Sequence, residues 1–259
     1  MTTERIRVAV IGAGYSGMYC AKWLLEEANV EEVVIFEQSG AIGGTWVYCD
    51  EGVGPTRTTH SLSSLSFIHP SDFPFPESTA NFPSHREMAA HLQRYAEHFE
   101  LTRRVRFHAR VEGVRKEGSG GRWRVVLAGD DDSGPSSPEL LFDRVALCCG
   151  LFAQPRLPTA SPSSAWRFYS GRVMHSSEFK CADPAVFGDK DVLVVGGGAA
   201  AAEAAQELSY AAARCRLFAR RGMWLHDRDS GGHCATDALA CRALFCLSYT
   251  GGPLLAACA

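Results

Sequence analysis

Apolar residues in this chain gather into short runs that end on glycine and give way to stretches with helical spacing. Val8-Ala9-Val10-Ile11 leads into Gly12-Ala13-Gly14-Tyr15-Ser16-Gly17, then into a stretch running through Ala21 and Leu24-Leu25. Val33-Val34-Ile35-Phe36 follows and ends at Glu37. The order predicts strand, glycine turn, helix and strand, which is one parallel βαβ unit. The same order returns later as Asp191-Val192-Leu193-Val194-Val195, Gly196-Gly197-Gly198-Ala199-Ala200-Ala201, a helix through Ala205 and Leu208, and Arg216-Leu217-Phe218-Ala219.

Between the two copies the pattern changes. Residues Arg57 to Pro83 are rich in Ser, Thr and Pro, including Asp72-Phe73-Pro74-Phe75-Pro76, and predict an irregular lid or loop. Ser84-His85-Arg86-Glu87 reads as a capping box, opening a helix whose apolar Met88, Leu92, Tyr95 and Phe99 recur at helical spacing. Alternating runs around Val105 to Val111 and Trp123 to Leu127, joined by a Gly-Ser-Gly-Gly turn and followed by the polar stretch Gly129 to Pro138, predict a small antiparallel sheet. Phe142 to Gly150 predicts a return to a buried strand, and Pro155, Pro158 and Pro162 with Ser161, Ser163 and Ser164 mark a connector.

The glycine turns carry the chemistry. In the first, Gly12 permits the tight turn, Gly14 lets a pyrophosphate approach the backbone, and Gly17 lets the helix pack on the strand with its N-terminus facing the phosphates. Ser16 lies in the same turn. Glu37 stands 20 residues beyond Gly17, the spacing at which a carboxylate accepts hydrogen bonds from ribose hydroxyls. The second turn offers Gly196, Gly198, Ala200 and Ala201. Where Glu37 stood in the first copy, Arg220-Arg221 now stand; a guanidinium suits a 2′-phosphate, which a carboxylate would repel, so this site favours NADP(H). Gly43-Gly44-Thr45-Trp46 reads as a loop against the first cofactor, with close backbone approach from the glycines and a flat indole face. The predicted class is α/β, with two dinucleotide-binding, Rossmann-like domains.

Composition narrows the partners. A net charge of −3 gives no reason to expect nucleic acid. The first strand begins a few polar residues after Met1, which predicts no signal peptide, and no apolar run is long enough to span a bilayer. The nearest, Ala238 to Ala259, is interrupted by Arg242 and Gly251-Gly252-Pro253. The ten cysteines lack C-x-x-C spacing; Cys148 and Cys149 are adjacent, and His233-Cys234 with Cys241 and Cys246 is the only cluster. They read as reduced thiols, so the expected compartment is cytoplasmic and no metal is expected.

Taken in order, Gly12-x-Gly14-x-x-Gly17, Glu37, Ile42-Gly43-Gly44-Thr45-Trp46, Asp72-Phe73-Pro74-Phe75-Pro76, Cys149-Gly150 with Pro155, Gly171-x-x-x-His175-Ser176, Gly196-x-Gly198-x-x-Ala201 and Arg220-Arg221-Gly222-x-Trp224 resemble the flavin-containing monooxygenases. Tyr169 to Ser176 is similar to that family's linker fingerprint, with tyrosine in the place of phenylalanine. The resemblance implies an FAD domain over residues 1–157, carrying a helical and loop insertion at 56–100 and a small antiparallel sheet at 104–140. It implies a partial, inserted NADP domain over 158–259 with an atypical tail at 226–259. It also implies that NADPH reduces FAD, that the reduced flavin takes up O₂ as a hydroperoxide, and that a soft nitrogen or sulfur nucleophile of a small molecule accepts the oxygen. Gly150 joins the cofactor-binding candidates on this ground alone.

The chain departs from that family in three places. No Asn occurs between Trp46 and Phe73, where family members carry an active-site asparagine. Ala199-Ala200 replaces the frequent asparagine and serine of the second turn. Nothing after Leu225 matches the family pattern, which predicts a C-terminally truncated chain. Two alternatives stand beside the N- or S-oxygenating enzyme: a non-catalytic FAD- and NADP-binding module, and a Baeyer-Villiger-type monooxygenase, although Phe179 stands where that group carries tryptophan.

Overall fold

The structure, a computed structural model, describes residues 5–118, 121–129, 140–152, 154–157, 168–222, 229–230 and 234–235. In chain order the elements are β1 (Ile6–Ile11), α1 (Tyr15–Glu26), β2 (Val30–Phe36), α2 (Leu65–Ile68), α3 (His85–His98), β3 (Val105–Arg106), β4 (Val111–Glu117) and β5 (Arg122–Leu127). Then come β6 (Leu141–Phe142), β7 (Arg144–Leu147), α4 (Pro184–Phe187), β8 (Asp191–Val195), α5 (Ala199–Ala211), β9 (Arg214–Phe218), β10 (Asp229–Ser230) and β11 (Cys234–Ala235). They fall into two units, one of residues 1–57 and 85–180 and one of residues 58–84 and 181–259.

In the first unit the described parallel sheet runs β3-β2-β1-β7, with Val8, Ala9, Val10 and Ile11 of β1 opposite Val33, Val34, Ile35 and Phe36 of β2. These strands read as continuous apolar runs because both faces are covered, as parallel strands require. Ala9, Ile11, Val34 and Phe36 pack on Val125 and Phe142 of the antiparallel sheet β4-β5-β6, where the rings of Phe36 and Phe142 meet edge to face at 5.8 Å. On the opposite face, Val10 underlies α1 at Gly17. Each such apolar side chain contributes about 1.5–3 kcal/mol through burial.

Helix α3 starts at His85 with Glu87 in its first turn, and it buries Met88, Leu92 and Tyr95 on the expected face. His85 and His91 are buried with them. Phe99 lies one residue past the helix and is half-buried, with its ring 4.6 Å from that of Tyr95. Aromatic rings fill the seam with α1: Tyr15 stacks on His91 at 6.4 Å, Tyr19 lies 4.9 Å from Tyr95, and the Tyr15 hydroxyl donates to the Met88 carbonyl at 2.8 Å.

Two strand expectations are corrected. The run Val105 to Val111 is not one antiparallel strand: β3 joins the parallel sheet beside β2, and only β4 pairs antiparallel with β5. The chain breaks between them at His108, whose φ of +56° no strand accommodates. The run from Phe142 is likewise divided between β6 and β7, and β7 is not buried. It is the edge of the described sheet, with Leu147 70% exposed.

The second unit holds β8 and β9, paired in parallel with Val192 opposite Cys215 and Val194 opposite Leu217, and α5 between them. The irregular stretch 58–84 lies in this unit. It closes on itself through the Ser61 amide on the Pro83 carbonyl (2.7 Å) and the Leu65 amide on the Asn81 carbonyl (2.8 Å). Two carboxylates of α5 fasten its start: Glu203 accepts from the Thr59 hydroxyl at 2.6 Å and Glu207 from the Thr58 hydroxyl. The expected connector residues Pro158, Ser161, Pro162, Ser163 and Ser164, the loop 130–138, Trp224, His233, Cys241, Cys246 and most of the 226–259 tail lie outside the described residues.

Candidate functional site

The first glycine turn is built by close approaches that only glycine permits. Gly12 has φ +106°, and a Cβ there would lie 2.5 Å from the Cys148 carbonyl oxygen. A Cβ on Gly17 would overlap the Gly12 carbonyl. Gly14 caps α1 without a side chain, and the Met18 amide is the first to bond back into the helix, at 3.0 Å to the Gly14 carbonyl. The preceding amides of the turn therefore point out of the helix end, where the dipole favours an anion.

Glu37 is the anchor of this turn. It is 7% exposed, and its two carboxylate oxygens accept from the Ala13 amide and the Ser39 amide, each at 2.8 Å. The side chain thus bridges the glycine turn and the end of β2, so its remaining lone pairs are held in a fixed place. Gly43 and Gly44 close over the turn. The Gly43 amide donates to the Ala13 carbonyl at 3.1 Å, and a Cβ on Gly44 would meet the Gly14 Cα at 2.9 Å. Gly44–Trp46 forms a single 3₁₀ turn; Ser16 and Thr45 are exposed and Trp46 is half-buried. Gly150 has φ +77° with open space around it. These residues fit the adenosine and pyrophosphate portion of FAD: a glycine cradle, outward amides and a fixed carboxylate.

The second turn copies the backbone of the first. The Gly12 amide donates to Phe36 at 2.8 Å and the Gly196 amide donates to Phe218 at 2.9 Å; Gly198 caps α5 as Gly14 caps α1. The register places Ala219, not an arginine, at the position of Glu37; exposed Arg220 and Arg221 follow one and two residues later. Ala200 is exposed and Ala201 is buried against Gly196. Backbone amides and two guanidinium groups remain for a phosphate.

Three features were not read from the sequence. Burial, reinforced by Tyr19, pushes the Tyr15 phenol far above its ordinary range. Burial followed by neighbouring Cys20 pushes the Cys148 thiol up to about 11, and burial raises Cys20 as well. Finally, a cavity of about 220 Å³ in the first unit is lined by Trp46, Val47, Tyr48, Arg57, His85, Arg86, Ala89 and Gln93. The i, i+4, i+8 spacing of His85, Ala89 and Gln93 was its one sequence signal. Among the described residues no cluster of side chains fits a metal ion, and no helix is long and apolar enough to cross a membrane.

A complete strand–glycine-turn–helix–strand unit with a fixed acidic residue, followed by a second glycine turn, defines a dinucleotide-binding α/β protein with two sites. The chain belongs to the flavin-binding monooxygenase-like family, whose model matches residues 5–248. It is 37% identical to dimethylaniline monooxygenase [N-oxide-forming] 4 of Rattus norvegicus over 87% of this chain and 40% of that protein. It is 32% identical to flavin-containing monooxygenase 5 of Mus musculus over 96% of this chain and 46% of the relative. Among solved structures, S-allyl-L-cysteine S-oxygenase from Allium sativum superposes with a TM-score of 0.73 at 25% identity, covering 90% of this chain and 55% of that one. The chain spans 40% to 54% of the length of the curated relatives it matches.

Proposed function

We propose that this chain supplies the FAD site and part of the NADP(H) site of a flavin-dependent monooxygenase that oxygenates a soft nitrogen or sulfur atom of a small molecule, with O₂ as co-substrate. The observation that carries the proposal is Glu37, buried and fixed between the amides of Ala13 and Ser39 beside a cradle of glycines. Family membership supports the reaction class, and the N-oxide formation and S-oxygenation for which the Rattus norvegicus and Allium sativum relatives are named support nitrogen and sulfur as the acceptor atoms.

When bound, FAD supplies electron transfer and activation of O₂. The chain's own residues have simpler tasks. Gly12, Gly14 and Gly17 let a pyrophosphate reach the amides at the start of α1, and Ser16 adds a hydroxyl beside them. Glu37 accepts from ribose hydroxyls. Gly43, Gly44, Thr45 and Trp46 cover the turn and keep water from it, and Gly150 gives the chain its open bend after β7. In the second site, Gly196, Gly198, Ala200 and Ala201 form the phosphate turn, and Arg220 and Arg221 select the 2′-phosphate of NADP(H). On this reading residues 1–157 form the FAD domain and residues 158–259 are part of an NADP domain.

A non-catalytic cofactor-binding module is the second reading. It is favoured by one observation: β8 and β9 each carry exposed large apolar side chains, Leu193 at 59% and Phe218 at 54%. The absorption spectrum of the purified chain before and after anaerobic NADPH tests both. Flavin absorption bleached by NADPH supports the enzyme; bound flavin that NADPH leaves unchanged supports the module; absence of flavin overturns both.

A further inference from the structure

The cavity beside the Gly43–Trp46 turn shares only Trp46 with the cofactor candidates, and its lining has a chemistry of its own. Arg57 and Arg86 bring two guanidinium groups, while no carboxylate among the described residues lines it. His85 is 3% exposed, and its Nε2 is buried without a hydrogen-bond partner among the described residues. Trp46 and Tyr48 supply flat apolar faces, and the Tyr48 ring lies 5.9 Å from that of His85. Arg57 is positioned for the cavity: its Nε donates to the Tyr48 hydroxyl at 3.3 Å, and that hydroxyl donates to Asp50 at 3.0 Å. The site also opens at the N-terminus of α3, a 14-residue helix whose dipole adds positive potential where His85 and Arg86 stand.

We propose that this cavity is a binding site for a small planar organic carboxylate, distinct from the two dinucleotide sites. Arg86 holds the carboxylate with two parallel hydrogen bonds and Arg57 adds the second cation. The apolar part of the ligand lies between Trp46 and Tyr48. A volume of about 220 Å³ falls below the roughly 300–1,000 Å³ of drug-sized sites and limits the ligand to a compact acid.

Titration of the purified full chain with benzoate, read by calorimetry and ligand-observed NMR, tests the site, with benzyl alcohol as the neutral isostere and inorganic phosphate as the competing anion. Saturable benzoate binding is expected, with benzyl alcohol at least about tenfold weaker. Arg86→Ala, at an exposed helix position, is expected to weaken benzoate about tenfold or more, and Arg86→Lys to recover part of the loss. The proposal is overturned if benzoate does not saturate, or if Arg86→Ala binds it as the unaltered chain does. It is equally overturned if phosphate binds as tightly as benzoate, or if FAD displaces benzoate competitively, since the cavity would then be a phosphate subsite of the cofactor.

Discussion

The two glycine turns of this chain have the same backbone and opposite surroundings. In both, the first glycine donates to a phenylalanine carbonyl and the third position caps a helix. Around the first, Val8, Val10, Val33 and Ile35 are almost wholly buried and Glu37 locks the turn; around the second, Leu193, Val195, Leu217 and Phe218 are 41–59% exposed and alanine stands at the position of Glu37. A turn of this kind is therefore a local backbone solution, whereas its rigidity comes from sheet neighbours: β1 has strands on both sides, and β8 has one described neighbour. Apolar strands need cover on both faces to contribute their burial energy.

The sharpest way to break the comparison is to add one methyl group to each turn. Gly17→Ala drives a Cβ into the Gly12 carbonyl and should cost about 3 kcal/mol or more, whereas Gly198→Ala meets open space and should stay within about 0.5 kcal/mol. Thermal melts of the two variants check this, and equal shifts would show that the turns are equally packed. Next in size is the strand pair. Ile35→Ala should cost about 2–5 kcal/mol by denaturant titration, while Leu193→Ala should change stability by less than about 0.5 kcal/mol. A large loss at Leu193 would mean that its strand is covered in solution.

Glu37→Gln sharpens the same contrast with less force. An amide presents one acceptor oxygen to two backbone N–H donors, so about 1–3 kcal/mol should be lost and flavin retention should fall in parallel, measured by the protein-to-flavin absorbance ratio. The smallest effect concerns the edge of the first sheet. With the Cys148 thiol raised from 9.0 to about 11, the folded chain keeps this proton at pH values where the unfolded chain loses it. Its contribution to stability is complete below about pH 9 and is lost as pH rises through about 11; melts across that window should show the unaltered chain losing stability relative to Cys148→Ala as pH rises. At pH 8 such a thiol holds about a hundredth of the thiolate of an unperturbed cysteine, so alkylation of Cys148 should lag a free cysteine peptide by about tenfold or more.

The sequence displayed the parts of this protein whose physics is local. Gly12, Gly14 and Gly17, the apolar runs beside them, and the apolar stripe from Met88 through Tyr95 each state their element within a few residues, because turn sterics and helical period act over that range. The choice of sheet for Val105 and Arg106, the exposed edge at Leu147 and the attachment of Thr58 and Thr59 to α5 were not visible there. Each depends on partners far along the chain: β2 for β3, β1 for β7, Glu203 and Glu207 for the threonines.

By itself the sequence determined the α/β class, the two phosphate turns and the acidic residue that distinguishes them. Only the tertiary structure decided that Glu37 is held by two amides, that Ala219 occupies the matching place in the second copy, and that His85, Arg57 and Arg86 share one cavity. Strand register and the meeting of a helix with a distant loop are fixed by pairing and packing between remote segments, and periodicity within either segment carries no record of them.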